Sequence, residues 1–160
     1  MSTIEELVIG NEVNEARLAA ELSGNSVFGE FLEAQDYEIH AEGGVQVRSL
    51  GMKAYRSVGD RIFNSSALKQ IFGSVSNVRR AICDEFRFCE KIAAYGRLQT
   101  ARLLRDFLLG AAVAKALAAT AAVAIFMDPS FISVAAVLLV FYSLSDICGC
   151  GRREGGNALF

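Results

Sequence analysis

Two long apolar blocks near the carboxyl end constrain this chain more than any other feature. The first block is residues 107–127, FLLGAAVAKALAATAAVAIFM, and the second is residues 131–150, FISVAAVLLVFYSLSDICGC. A helix as long as the first block would extend about 31 Å, which matches the hydrocarbon core of a bilayer. Between the blocks lie Asp128, Pro129 and Ser130, where proline cannot continue the first helix and serine can cap the second. The pattern predicts a helical hairpin with both ends on one side of a membrane.

Basic residues flank the predicted hairpin on both sides, and its turn carries none: Arg97, Arg102, Arg105, Arg152 and Arg153. Because Lys and Arg favour the cytoplasmic side of a membrane, both termini of a resident protein would be cytoplasmic. The alternative is a buried core hairpin in a water-soluble helical domain. We favour membrane insertion because two such helices exceed what roughly a hundred other residues cover comfortably. Both interpretations can apply to one chain at different times, since a hairpin that is sheltered in water can be released at a membrane.

The first block is rich in small side chains that recur every four residues. One such row contains Gly110, Ala114, Ala118 and Ala122, and Thr120 belongs to a second row. In lipid, small residues at this spacing let helices approach closely. The pattern therefore predicts that the hairpin forms a homo-oligomer in the bilayer.

Lys115 lies well inside the first block, where a charged residue costs about 2.5–3.5 kcal/mol unless it reaches the interface or finds a partner. Counted back from the turn, its depth matches that of Ser143, and Asp146 is within reach of a lysine that leans toward the cytoplasmic face. One hypothesis is a Lys115–Asp146 ion pair. The other is a polar stripe, including Thr120 and Ser143, that lines an aqueous path between several hairpins. We favour pairing or simple snorkelling within the monomer.

Residues 1–106 are predicted to form a soluble, mostly helical region whose two parts carry opposite charge. Residues 1–50 contain ten acids and two bases, whereas residues 51–106 contain eleven bases and five acids. Two segments that pack together explain this asymmetry better than a nucleic-acid site, because the bases are interleaved with acids and lack stacking aromatics. Alternating apolar residues on either side of two glycines predict a small β-hairpin at 37–49. The glycine-rich residues 151–160 predict a flexible tail.

The sequence contains no constellation that is typical of an enzyme, a cofactor site or a metal site. The single histidine, His40, has no nucleophile or carboxylate around it at a catalytic spacing. Cys83 and Cys89 are six residues apart on a predicted helix and therefore face different sides, which argues against zinc. The four cysteines suit a chain that folds in a reducing compartment, with disulfide pairing as an open alternative. The N-terminus has neither the basic nor the apolar part of a cleavable export signal.

An acidic front without an export signal, a basic helix and the apolar hairpin at 107–150 together resemble the layout of pore-forming bacterial toxins. In those toxins a colicin-like apolar hairpin is hidden within a helical bundle. The layout also resembles small membrane-depolarising effectors that type VI secretion systems carry inside Hcp rings. The chain is shorter than a colicin pore domain and differs from it in the predicted β-hairpin. The resemblance implies export without a cleavable signal peptide, a secretion-ring carrier, an immunity protein, and toxicity by ion leakage.

The sequence therefore predicts a mainly α protein, not an enzyme, that inserts into a lipid bilayer and oligomerises into an ion-conducting pore. The alternative is a resident membrane protein whose hairpin anchors a cytoplasmic helical module that binds another protein. Neither hypothesis requires a cofactor, a metal ion or a nucleic acid.

Overall fold

The computed structural model describes four stretches of the chain, residues 3–10, 12–24, 55–115 and 121–150. Within them the chain is mainly helical, which confirms the predicted class. The predicted β-hairpin at 37–49 and the predicted tail at 151–160 lie outside the described residues.

The N-terminal elements are short, and a helix cap and a two-stranded sheet stabilise them. They are α1 (Ile4–Leu7), β1 (Val8–Ile9), β2 (Glu12–Val13) and α2 (Glu15–Gly24). Thr3 and Glu6 form a capping box, in which each side chain accepts the other residue's backbone N–H, at 3.3 and 2.9 Å. This arrangement satisfies two N–H groups that the first helical turn leaves without partners. The strands are antiparallel, with Val8 opposite Val13.

The middle of the chain is a series of helices broken at serine caps. Residues 55–63 form α3, which is called helix 55–63 below. The elements that follow it are α4 (Ser66–Phe72), α5 (Val75–Arg79), a π-helical segment (Arg80–Glu85) and α6 (Phe88–Ala114). Ser65 and Ser74 cap α4 and α5, since their Oγ atoms accept the N–H groups of Leu68 and Asn77. α6 is kinked at Gly96, whose φ of 82° is readily available only to glycine.

The C-terminal part ends in one continuous helix. A short α7 (Ala121–Ala124) and a 3-10 turn (Ile125–Met127) precede it. The helix itself comprises α8 (Pro129–Leu138), a π-helical segment (Leu139–Ser143) and α9 (Leu144–Ile147). We call Pro129–Ile147 the core helix.

The predicted hairpin of two long helices is not confirmed. α6 ends at Ala114, with Lys115 as its C-cap, and residues 116–120 lie outside the described part of the chain. The buried face of α6 ends at Ala112, and residues 113–115 are exposed. Within the described ranges, the core helix is the one helix long and apolar enough to cross a membrane by length and composition.

Helix 55–63 approaches the core helix closely at Gly59. A Cβ atom at this position would collide with Ser143 Oγ and would lie 3.1 Å from the carbonyl oxygen of Leu138. Beside this contact, the rings of Tyr55 and Tyr142 lie 5.3 Å apart. Gly59 is therefore required by the close approach of two backbones.

Gly59→Ala is expected to destabilise the protein by about 1–3 kcal/mol, because the added methyl group overpacks this contact. The matched control is Gly110→Ala, since a Cβ atom at Gly110 meets no atom within 4 Å. In the interior of α6 that change should instead stabilise by about 0.5–1 kcal/mol. Urea unfolding measures both free energies, and equal effects of the two variants would contradict the close approach.

Candidate functional site

The core helix starts at a cap that the turn sequence encodes. The Asp128 carboxylate accepts the backbone N–H of Phe131 at 2.9 Å, and Pro129 occupies the first helical position. Proline suits that position because its fixed φ is helical and the missing N–H has no intrahelical acceptor there. The prediction that Ser130 caps this helix was wrong, since Asp128 is the cap. Ser130 Oγ is hydrogen-bonded to Glu21 of α2 at 3.2 Å.

The central part of the core helix is buried on every side. All ten residues from Phe131 to Val140 are buried, so no face of this stretch meets water. A helix that is apolar all round occurs either in the middle of a protein or within a membrane. The core helix has 19 residues and a mean hydropathy of 1.9 over its most apolar window, 72% of which is buried.

Several elements cover this helix in the folded protein. α6 packs along it with residues spaced by three and four, Ala101, Leu104, Leu108 and Ala112. α1 and the 3-10 turn also contact it, and the Phe126 ring meets the Phe131 ring edge-on at 5.1 Å. The bundle therefore replaces water around the helix with apolar side chains.

The small-residue row of the first block lies partly on the outer surface. Gly110 and Ala114 are exposed on α6, and neighbouring Val113 is 55% exposed. Lys115 is also exposed, at the end of the same helix. Ala118 and Thr120 lie outside the described residues, as does the side chain of Ala122.

Polar groups near the end of the core helix have partners in helix 55–63. Asp146 forms an exposed ion pair with Arg56, a residue that sequence reasoning did not consider. The partner found for Asp146 thus differs from the predicted Lys115. Ser143 is buried, and its Oγ donates to the carbonyl oxygen of Arg56 at 3.1 Å.

Two disulfides join the end of the core helix to the amino end of α6. Cys83 pairs with Cys148, and Cys89 pairs with Cys150, at Cα–Cα distances of 5.3 and 5.4 Å. The expectation of reduced cysteines was wrong for this structure. Cys83 and Cys89, predicted to face different sides of a helix, each bond to a different cysteine of residues 148–150. Gly149, with φ of 72°, provides the sharp turn between Cys148 and Cys150.

A largely apolar cavity of about 270 Å³ lies where α1, α6 and the amino end of the core helix meet. Leu109, Met127 and Ile132 contribute to its lining, and Arg105 and Thr3 are polar neighbours. In the stretches that the structure describes, no group of three or more His, Cys, Asp or Glu side chains is placed to hold a metal ion. The cavity lies next to the helix cap and has a mostly apolar lining.

Comparison of the chain with protein-family models, with curated proteins and with solved structures finds no match. The physical properties of the core helix therefore carry the functional argument.

An ion pair fastens α1 to α6 across the amino end of the bundle. Glu5 Oε2 accepts a hydrogen bond from Arg102 Nε at 2.6 Å. The backbone N–H of Glu5 and then the Arg102 guanidinium lower the pKa of the Glu5 carboxyl below its usual value of 4.5. Both groups favour the charged carboxylate.

This ion pair predicts a loss of stability in acid. Because the Glu5 pKa is lower in the folded chain, its contribution is complete above about pH 4.5 and is lost as pH falls through the folded-state pKa. Glu5→Gln should lower the free energy of unfolding by less than about 1 kcal/mol at neutral pH, since the pair is exposed. The difference between variant and wild type should vanish in acid.

Urea unfolding at several pH values measures this effect. Glu12→Gln, at an exposed position of β2, is the matched control for the loss of one acidic side chain. A difference for Glu5→Gln that persists undiminished at pH 2 would contradict the assignment.

Proposed function

We propose that this chain is a membrane-inserting protein that stores an apolar helix inside a water-soluble helical bundle, and that it oligomerises in a target membrane into an ion-conducting pore. The observation that carries the proposal is the core helix, which is apolar on all sides over Phe131–Val140. Its 19 residues would extend about 28 Å, close to the thickness of a bilayer's hydrocarbon core.

The surroundings of the core helix support an exchange of protein for lipid. Residues 129–145 contain no charged side chain, so this part of the core helix needs no ionic partner in lipid, and Asp146 comes only at its carboxyl end. Its backbone N–H and C=O groups are satisfied within the helix, as any spanning segment requires. Acyl chains can therefore replace the apolar side chains of α6 and α1 at little cost in hydrophobic free energy.

The exposed row on α6 supports the oligomeric part of the proposal. Gly110 and Ala114 present a surface without bulky side chains, and small residues at this spacing favour close helix association in lipid. Lys115 would then lie near the mouth or the wall of the ion-conducting pore. The proposed partners are a lipid bilayer, further copies of the chain, a secretion-ring carrier and an immunity protein in the target membrane.

A single tryptophan can report on insertion, because the chain has none of its own. In Phe141→Trp the probe replaces a half-buried ring of the core helix. With lipid vesicles its emission should shift to shorter wavelength, and brominated acyl chains should quench it at least twofold. Tyr95→Trp is the control, since Tyr95 is 60% exposed on α6 outside the core helix. The measurement is made with and without a thiol reductant. If brominated acyl chains do not quench the Phe141→Trp probe in either state, the proposal is overturned.

Leucine at the small-residue row should weaken the pore. Gly110→Leu combined with Ala114→Leu is expected to reduce dye leakage from vesicles at least tenfold, because close helix contact is lost. Val113→Leu, on the same exposed part of α6, is the matched control and should leak like wild type. If the double variant leaks as fast as wild type while binding vesicles equally, oligomerisation through this row is excluded.

A further inference from the structure

We propose that the two disulfides are a redox-operated lock on the core helix: oxidised, they keep its carboxyl end in the bundle, and reduction by a dithiol releases the helix for the membrane. This inference rests on the proposed function and adds its regulation.

Both bonds tie the same two places together. Cys83 lies in the π-helical segment and Cys89 at the start of α6, while Cys148 and Cys150 directly follow the core helix. The Cα–Cα distances of 5.3 and 5.4 Å fix how far the two chain segments can separate. Because there are two bonds, the end of the core helix cannot pivot about a single one. A helix held in this way cannot cross a bilayer while α6 stays in the bundle.

The noncovalent contacts at the carboxyl end of the core helix are weak compared with the two disulfides. Arg79 Nη1 donates to the carbonyl oxygen of Ile147 at 2.6 Å, and Arg56 pairs with Asp146. Both contacts are exposed, so water competes for them. Ser143 Oγ also donates to the carbonyl oxygen of Arg56 at 3.1 Å, and the apolar contacts there can be exchanged for lipid. The disulfides are therefore the links that neither water nor lipid replaces.

The exposure of the four cysteines favours attack of a reductant on Cys148 and Cys150. Cys83 and Cys89 are 6% and 8% exposed, whereas Cys148 and Cys150 are half-buried. A thiolate of the reductant bonds to Cys148 Sγ, and Cys83 leaves as a thiolate that takes up a proton. The second thiol of the reductant then displaces Cys148, so that the reductant becomes a disulfide and the protein gains two thiols. The Cys89–Cys150 bond reacts likewise, and each bond takes up two electrons and two protons.

Hydrogen exchange of the full chain in water tests the lock without a membrane. Adding a dithiol reductant to the oxidised protein is expected to speed amide exchange of residues 129–147 at least tenfold, with much smaller changes in α2 and α4. The control replaces all four cysteines, Cys83→Ser, Cys89→Ser, Cys148→Ser and Cys150→Ser, and its exchange should not respond to the reductant. An unchanged exchange rate in the wild type, or an equal increase in every helix, overturns the lock.

Vesicle leakage by the same samples separates the lock from the proposed function. At least tenfold faster leakage after reduction supports both. Equal leakage before and after reduction overturns the lock and leaves membrane insertion standing. Faster exchange at 129–147 with no vesicle binding in either state supports the lock and overturns the proposed function. Leakage that occurs with the oxidised protein and not with the reduced protein overturns the lock.

Discussion

The fold depends on covering a helical stretch that has no polar face. A typical surface helix of a globular protein needs cover on one side only, but Phe131–Val140 must be shielded from water all round. α6 supplies a long face of alanine and leucine, α1 and the 3-10 turn cover the amino end, and helix 55–63 contacts the core helix at Leu138 and Ser143 through Gly59. Much of the described chain is arranged around this requirement.

The two ends of the core helix are held by different chemistry. At the amino end the links are hydrogen bonds, from the Phe131 N–H to Asp128 and between Ser130 and Glu21. Water can replace such bonds at modest net cost. At the carboxyl end the links include two covalent bonds between the same pair of segments. The middle is held by apolar contact, which lipid can match, so in the proposed lock the covalent end governs whether the helix can leave.

The outer surface of α6 adds a second feature that the packing of the core helix does not explain. Ala112 faces inward, but Gly110, Val113, Ala114 and Lys115 are exposed. A solvent-facing helix with small side chains is compatible with water and also with a close neighbour. In the proposed function, the same helix thus shields the core helix before insertion and contacts further copies afterwards.

The sequence by itself determined the local elements. The mainly helical class and the start of the core helix directly after Asp128 follow from side-chain hydropathy and from proline's fixed backbone, which act within a few residues. Tertiary structure decided the rest. Four cysteines allow three pairings; the meeting of residues 83–89 with 148–150 leaves two of them, and the local packing there selects Cys83–Cys148 and Cys89–Cys150. The Arg56–Asp146 pair and the need for glycine at position 59 likewise depend on segments far apart in the chain. Periodicity indicates which residues are apolar, but an apolar helix is equally satisfied by lipid and by protein, so only the packing of the folded chain could show what surrounds it in water.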